Sequence, residues 1–248
     1  MSRRQPRPKE VPMSRTKKFL FASICFIAAS GFGSMTAAVE YEIVVENMIP
    51  GGAETGQPMT PPVAVVHGPG YTLFAAGDMA TPGLELLAEE GMTDDLVMEA
   101  ESDPDVYQVV VGDGPFVDAV TFMIEGNPGE LLSLVTMLAR SNDLITGIHD
   151  ITLPCCGDSM AYVDVDVYDA GTEENTGLVA HIPFYGNTFV GPDEENPIAA
   201  ITYYEVVDDP DYGLLEYEFP PSARITVTAL DPSPAEQDTW GTVKSLFQ

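Results

Sequence analysis

Residues 161–175 read Ala161-Tyr-Val-Asp-Val-Asp-Val-Tyr-Asp-Ala-Gly-Thr-Glu-Glu-Asn175, and their alternation decides the fold class. Val163, Val165 and Val167 share one face of an extended chain while Asp164 and Asp166 share the other, as in a strand covered on one side only. Continuing the alternation puts Asp169 on the valine side, where an ionised carboxylate is costly unless a cation or several donors compensate it. Gly171 then allows a tight backbone reversal that would wrap Thr172 and Glu173 around an ion. The other reading has Asp169 accept backbone N–H bonds and merely close a turn, and the residues leave both open. The run is not an EF-hand: counted from Asp164, Tyr168 takes position 5, Gly171 position 8 and Asn175 position 12, where that loop needs glycine sixth and glutamate last.

The same period of two recurs outward from this stretch, with turn signals every ten or so residues. It predicts strands at 41–46, 63–67, 71–74, 106–111, 119–125, 131–138, 145–152, 161–168, 198–202 and 223–230. That is enough for two packed sheets, an all-β antiparallel sandwich. Residues 81–102 break the pattern. Thr81-Pro82 is an N-cap followed by proline at the first helical position, Leu84, Leu86 and Leu87 form an apolar stripe, and Gly91 is a C-terminal stop. A second short helix begins at Thr93, with Asp94 and Asp95 at its positive end. Acidic, Gly- and Pro-rich stretches around 50–61, 112–117, 170–197 and 207–222 read as surface loops. No repeat of fixed period is present, so residues 39–248 are expected to form one domain with elaborated loops.

Charge narrows the partners. The chain has 248 residues, with 39 acids and 10 bases; seven of the bases precede residue 20, and Glu10 is the one acid before residue 39. Residues 39–248 therefore carry 38 acids against three bases, a formal charge of −35. A surface of that sign repels phosphate backbones and anionic lipid, which argues against nucleic acid as a partner. Residues 15–38 have the order of a signal peptide: basic Arg15, Lys17 and Lys18, an apolar run from Phe19 to Ala29, then small residues to Ala37-Ala38. Residues 1–38 are expected to be an extended leader, cleaved near Ala38, and the mature protein to be secreted or periplasmic. The apolar run is shorter than the roughly 20 residues of a spanning helix, and no transmembrane segment is expected in the mature chain.

Chemistry-bearing motifs are sparse. The sequence has no H-E-x-x-H, G-x-S-x-G, P-loop or dinucleotide fingerprint. Adjacent Cys155 and Cys156 suit a buried pair or a strained vicinal disulfide better than a redox motif, which spaces its thiols as C-x-x-C. His67, His149 and His181 are distant in sequence and read as structural more readily than as a three-imidazole metal site. Acid pairs such as Glu89-Glu90 or Asp208-Asp209 would serve glycoside hydrolysis only if two carboxyls faced one another across a cleft. Calcium is the more natural ligand for such a composition, because it takes six to eight hard oxygens that sandwich loops can supply.

Tyr168-Asp-Ala-Gly-Thr-Glu173 with Asn175 resembles the Y-D-A-G-T-[DE] signature of the spondin domain. Other landmarks follow in the same order. Tyr41-Glu-Ile-Val-Val-Glu-Asn47 resembles the opening strand and Pro61-Pro-Val-Ala-Val-Val-His67 the proline-led second strand. Met79 to Gly91 is similar to the helical insert, and Ser133-Leu-Val-Thr-Met-Leu138 with Ser141-Asn-Asp143 to the bacterial S-x-x-S-M-L-x-x-T-N-D segment, with Thr136 and Ser141 as departures. The likeness covers about residues 41–230. It implies a C2-like β-sandwich with a calcium ion at one end, and adhesion or recognition toward matrix, glycan or protein rather than catalysis. The family's ligating acids carry over to Asp143 and Asp169. The third lands on the apolar Thr121-Phe-Met-Ile124 beside Glu125, which leaves Glu173 or Asn142 to take its place. A carboxylate-dependent hydrolase and a purely structural envelope protein are the alternative functions.

Overall fold

A computed structural model describes residues 38–155, 157–162, 165–186, 191–220 and 222–230. The expected leader (residues 1–37 of it), Cys156, Val163 and Asp164 lie outside the described residues. The chain runs β1 (Val39–Asn47), a one-turn helix α1 (Gly52–Thr55), β2 (Val63–His67), α2 (Pro82–Glu90), α3 (Asp94–Ser102), β3 (Val106–Val111), β4 (Ala119–Gly126) and β5 (Leu131–Met137). It continues through β6 (Leu144–Thr152), β7 (Ser159–Tyr162), β8 (Val167–Asp169), β9 (Ala199–Ile201), β10 (Tyr203–Asp209), β11 (Gly213–Glu218) and β12 (Ala223–Ala229).

Two sheets make the sandwich, one ordered β4-β1-β12-β7 and the other β3-β2-β5-β6-β8-β9. The named strand pairings are antiparallel. Tyr41, Ile43 and Val45 of β1 and Ile225 and Val227 of β12 meet Ala64, Val66, Leu132 and Leu134 of the opposite sheet in one core. Each such aliphatic side chain adds about 1.5–3 kcal/mol by leaving water. The second face of the larger sheet is also covered: Val63, Val65, Val135 and Ile145 pack against Leu84, Leu87 and Leu96 of α2 and α3. Burial on both faces is why Val63–Val66 of β2 run apolar without alternation.

The helical insert forms as its sequence predicts. Thr81 Oγ1 accepts the Leu84 N–H at 3.2 Å, Pro82 opens α2, and Gly91 ends it in a left-handed conformation at φ 70°. Glu99 of α3 ties the pair together, accepting from Thr81 Oγ1 at 2.6 Å and from the Gly83 N–H at 2.8 Å.

Four expectations change. Residues 161–168 are not one strand: β7 pairs with β12 in the smaller sheet, whereas β8 pairs with β6 in the larger. Residues 71–74 form no strand, and Leu73 and Phe74 instead pack beneath the insert. The stretch 207–222, read as a loop, contributes to the β10–β11 hairpin, whose Tyr204, Val206, Leu215 and Tyr217 join the inter-sheet core. Cys155 is exposed rather than buried. Among the described residues no helix is long and apolar enough to cross a membrane.

Candidate metal centre

Asp143 ends the turn that links β5 to β6. Ser141 shapes that turn, donating its hydroxyl to Leu138 O at 2.6 Å and accepting the Leu144 N–H at 3.1 Å. Pairing of β6 with β8 sets Leu144 opposite Asp169, and the Ala170 N–H reaches Asp143 O at 3.2 Å. The two aspartates are therefore neighbours at one end of the larger sheet, though 26 positions separate them in the chain.

The turn after Asp169 folds back over Asp143. Gly171 adopts φ 73°, and a Cβ there would lie 2.2 Å from Asn196 O, so the position needs glycine on two grounds. Asp143 Oδ2 accepts from the Thr172 N–H at 2.8 Å, the Glu173 N–H at 3.1 Å and the Thr172 hydroxyl at 3.3 Å. Its other oxygen, Oδ1, is fully buried and has no donor. Asp169 accepts from the Gly171 N–H at 2.7 Å and from Asn175 Nδ2 at 2.6 Å. Asp169 thus closes a turn, as the second reading has it, and its carboxylate also neighbours that of Asp143.

Glu173 is also buried, with its carboxylate turned to the Gly191 N–H at 2.8 Å and to Asn142 Nδ2 at 3.5 Å. Asn142 is fully engaged, its Oδ1 accepting from Tyr204 Oη at 2.8 Å and the Gly177 N–H at 3.2 Å. Glu89 of α2 reaches the same place, and the Thr172 hydroxyl lies between it and Asp143. Glu125 does not, since its register with Glu40 puts it at the far end of β1 from Asn47, whose side chain bonds Gln57 beside Arg140. Among the described residues no group of three acids, histidines or cysteines is arranged to hold a metal by side chains alone.

The electrostatics of the cluster all run one way. Burial, then the charge of Asp169, pushes Asp143 up to about 6 despite its N–H bonds. Burial raises Asp169 above its ordinary value against the Gly171 bond, with Glu194 adding repulsion. Burial, chiefly, raises Glu173 and Glu89 to about 7 each, and each of the two is also repelled by neighbouring acids. Four carboxyls that resist ionisation together make a place for positive charge, and Asp143 Oδ1 is the atom left without a partner for it.

The other candidate residues are occupied structurally. His67 and Ser133 are fully buried, with His67 Nε2 2.8 Å from Ser133 Oγ and Nδ1 2.9 Å from Gly68 O. Ser133 Oγ also accepts the Asp150 N–H at 3.0 Å, which anchors β6 where Asp150 takes φ 54°. His149 flanks Asp150 from the exposed side, and the His181 ring is bonded to Thr176 while its carbonyl accepts from Asn142 Nδ2 at 3.4 Å. Asp209 accepts from the Asp211 and Tyr212 N–H groups and from Tyr185 Oη.

Residues 55–182 match the family model Spondin_N, just over half of the chain and inclusive of Asp143, Asp169, Glu173 and Glu89. No curated protein matches the chain.

Proposed function

The chain belongs to the spondin N-terminal domain family, and from that premise we propose that it acts outside the inner membrane as a non-catalytic, calcium-binding adhesion or recognition domain. One observation carries the calcium reading: the fully buried Asp143 Oδ1 has no donor while it faces the like charge of Asp169. Asp143 and Asp169 would hold the ion, with Glu173 adding negative charge beside them. Bound calcium would supply the positive charge that lets both aspartates ionise, and oxygens beyond these side chains would complete its six to eight contacts. The Thr172 and Glu173 N–H groups fix Asp143 in place, and Gly171 gives the turn its shape. Export rests on the leader pattern of residues 15–38. The role toward matrix, glycan or protein rests on the family.

Calcium titration followed by thermal unfolding tests this. A ligand that binds only the native state stabilises it by about 2.7 kcal/mol at a hundred times its dissociation constant. For a domain of this size that is a rise in Tm of roughly 5–11 °C. Asp143→Asn and Asp169→Asn should fold and lose the rise. No rise in the wild-type protein at millimolar calcium would leave the acids to solubility and structure alone.

A further inference from the structure

We propose that the open edge of β11 is a docking groove for an extended, cationic peptide segment, taken up as a third strand beside the β10–β11 hairpin. A groove of about 870 Å³ runs between residues 214–218 of β11 and residues 48–51 that follow β1. That volume lies in the range of ligand-binding clefts. All five consecutive β11 residues line it, the inward Leu215 and Tyr217 together with the outward Leu214, Glu216 and Glu218. Successive side chains of a strand point to opposite faces, so only an edge presents both sets at once. The groove therefore follows the backbone of β11.

That backbone is open for pairing. Among the described residues β11 pairs with β10 alone, whereas the far side of β10 carries the Leu178–Val207 bridge. Unpaired N–H and C=O groups along a strand edge are a template for strand addition.

Charge selects the occupant. Glu216 and Glu218 line the groove and, among the described residues, no cationic side chain does. Tyr203 Oη stands 3.0 Å from both Glu205 and Glu216 carboxylates, and its single proton serves one of them at a time. The described cations are committed elsewhere, Arg140 to Gly56 O and Ala53 O, and Arg224 to Glu46. Lysine or arginine at alternate positions of an added strand would meet these acids on the outward face, and the apolar residues between would fall on the inward face beside Leu215 and Tyr217, which also line the groove. β11 lies beyond the segment matched to the family model, and nothing in this surface depends on calcium.

The test is fluorescence anisotropy at physiological salt with a labelled peptide of alternating lysine and valine, its glutamate-for-lysine counterpart, and two versions N-methylated on alternate backbone amides. The lysine peptide should bind and the glutamate peptide should not. One of the N-methylated versions should lose about tenfold or more, because its blocked amides face β11, while the other, with its methyl groups away from the strand, keeps its affinity. Glu216→Gln with Glu218→Gln, at exposed positions, should cost about tenfold while removing only two of the chain's many acids. Equal binding by both N-methylated peptides, or unchanged binding by the double variant, would overturn the proposal by reducing the interaction to diffuse attraction.

Discussion

Glu89 sits where a helix meets a loop 83 residues further along the chain, at Thr172, and burial there pushes it up to about 7. Its native pKa of about 7 lies above the ordinary 4.5. The native state therefore keeps the proton to higher pH than the unfolded chain, and the stability this gives is full below the ordinary value and lost as pH rises through about 7. Glu89→Gln cannot ionise, so in the absence of calcium it should match the wild type near about pH 4.5 and exceed it by at least about 1 kcal/mol at about pH 8 in urea unfolding. A variant less stable than wild type at the higher pH would mean that Glu89 is ionised and gainfully paired. Gly171→Ala belongs to the same scale: the positive φ and the approach of Asn196 O predict a loss of about 2 kcal/mol or more, with the calcium response lost as well. Asp169, Gly171 and Glu173 were legible from alternation and turn chemistry, and Asp143 from the family likeness. Glu89 was not, because the α2 stripe of Leu84, Leu87 and Ala88 leaves position 89 at its flank, and the loop that covers it arrives only in the tertiary fold.

Elements differ in how much of their own geometry the sequence carries. The α2–α3 insert is almost self-specified by Thr81, Pro82 and Gly91, and what the sequence does not announce is the cross-helix bond from Glu99 to the α2 N-terminus. Glu99→Ala should cost about 1 kcal/mol, as loss of a cap does, and Thr81→Ala a similar amount. Because the two side chains are in contact, the double variant should cost less than the sum, a non-additivity read by thermal unfolding of all four proteins. Simple addition would show that Thr81 and Glu99 act independently. The 161–168 stretch shows the opposite case. Val165 and Val167 face the core as the alternation requires, yet the chain passes from one sheet to the other between β7 and β8. The inward side chains of both sheets enter the same core, so a period of two in the sequence cannot mark the crossing. The β10–β11 hairpin was missed for a different reason. Its buried Tyr204, Val206, Leu215 and Tyr217 keep strict alternation, but the acids between them gave the stretch the composition of a loop.

At the scale of the whole molecule five buried or half-buried acids fall into two groups whose effects separate in pH. Against the upward push of burial, hydrogen bonds from Tyr185, Asp211 and Tyr212 hold Asp209 below its ordinary value, so its contribution is present above that value and fades only in acid. Asp143, Asp169, Glu173 and Glu89 are all displaced upward. For each of them the native state binds more protons than the unfolded chain above the ordinary carboxyl range, up to about 6 for Asp143 and about 7 for Glu173 and Glu89, so stability must fall as pH rises through that window. General repulsion among the acids has the same sign, but it is screened by salt while the buried cluster is not. In about 0.5 M KCl with a chelator, where the Debye length is only a few ångströms, unfolding free energy should therefore still decline from about pH 5 to about pH 8. Saturating calcium should remove most of that decline, because a divalent ion favours the ionised pair and its affinity grows as the competing protons leave. Asp143→Asn should show a shallower decline with the chelator and little change on adding calcium. A wild-type protein equally stable across the window in both solutions would mean that the carboxyls ionise without penalty, and the case for a cation between residues 143 and 169 would fail with it.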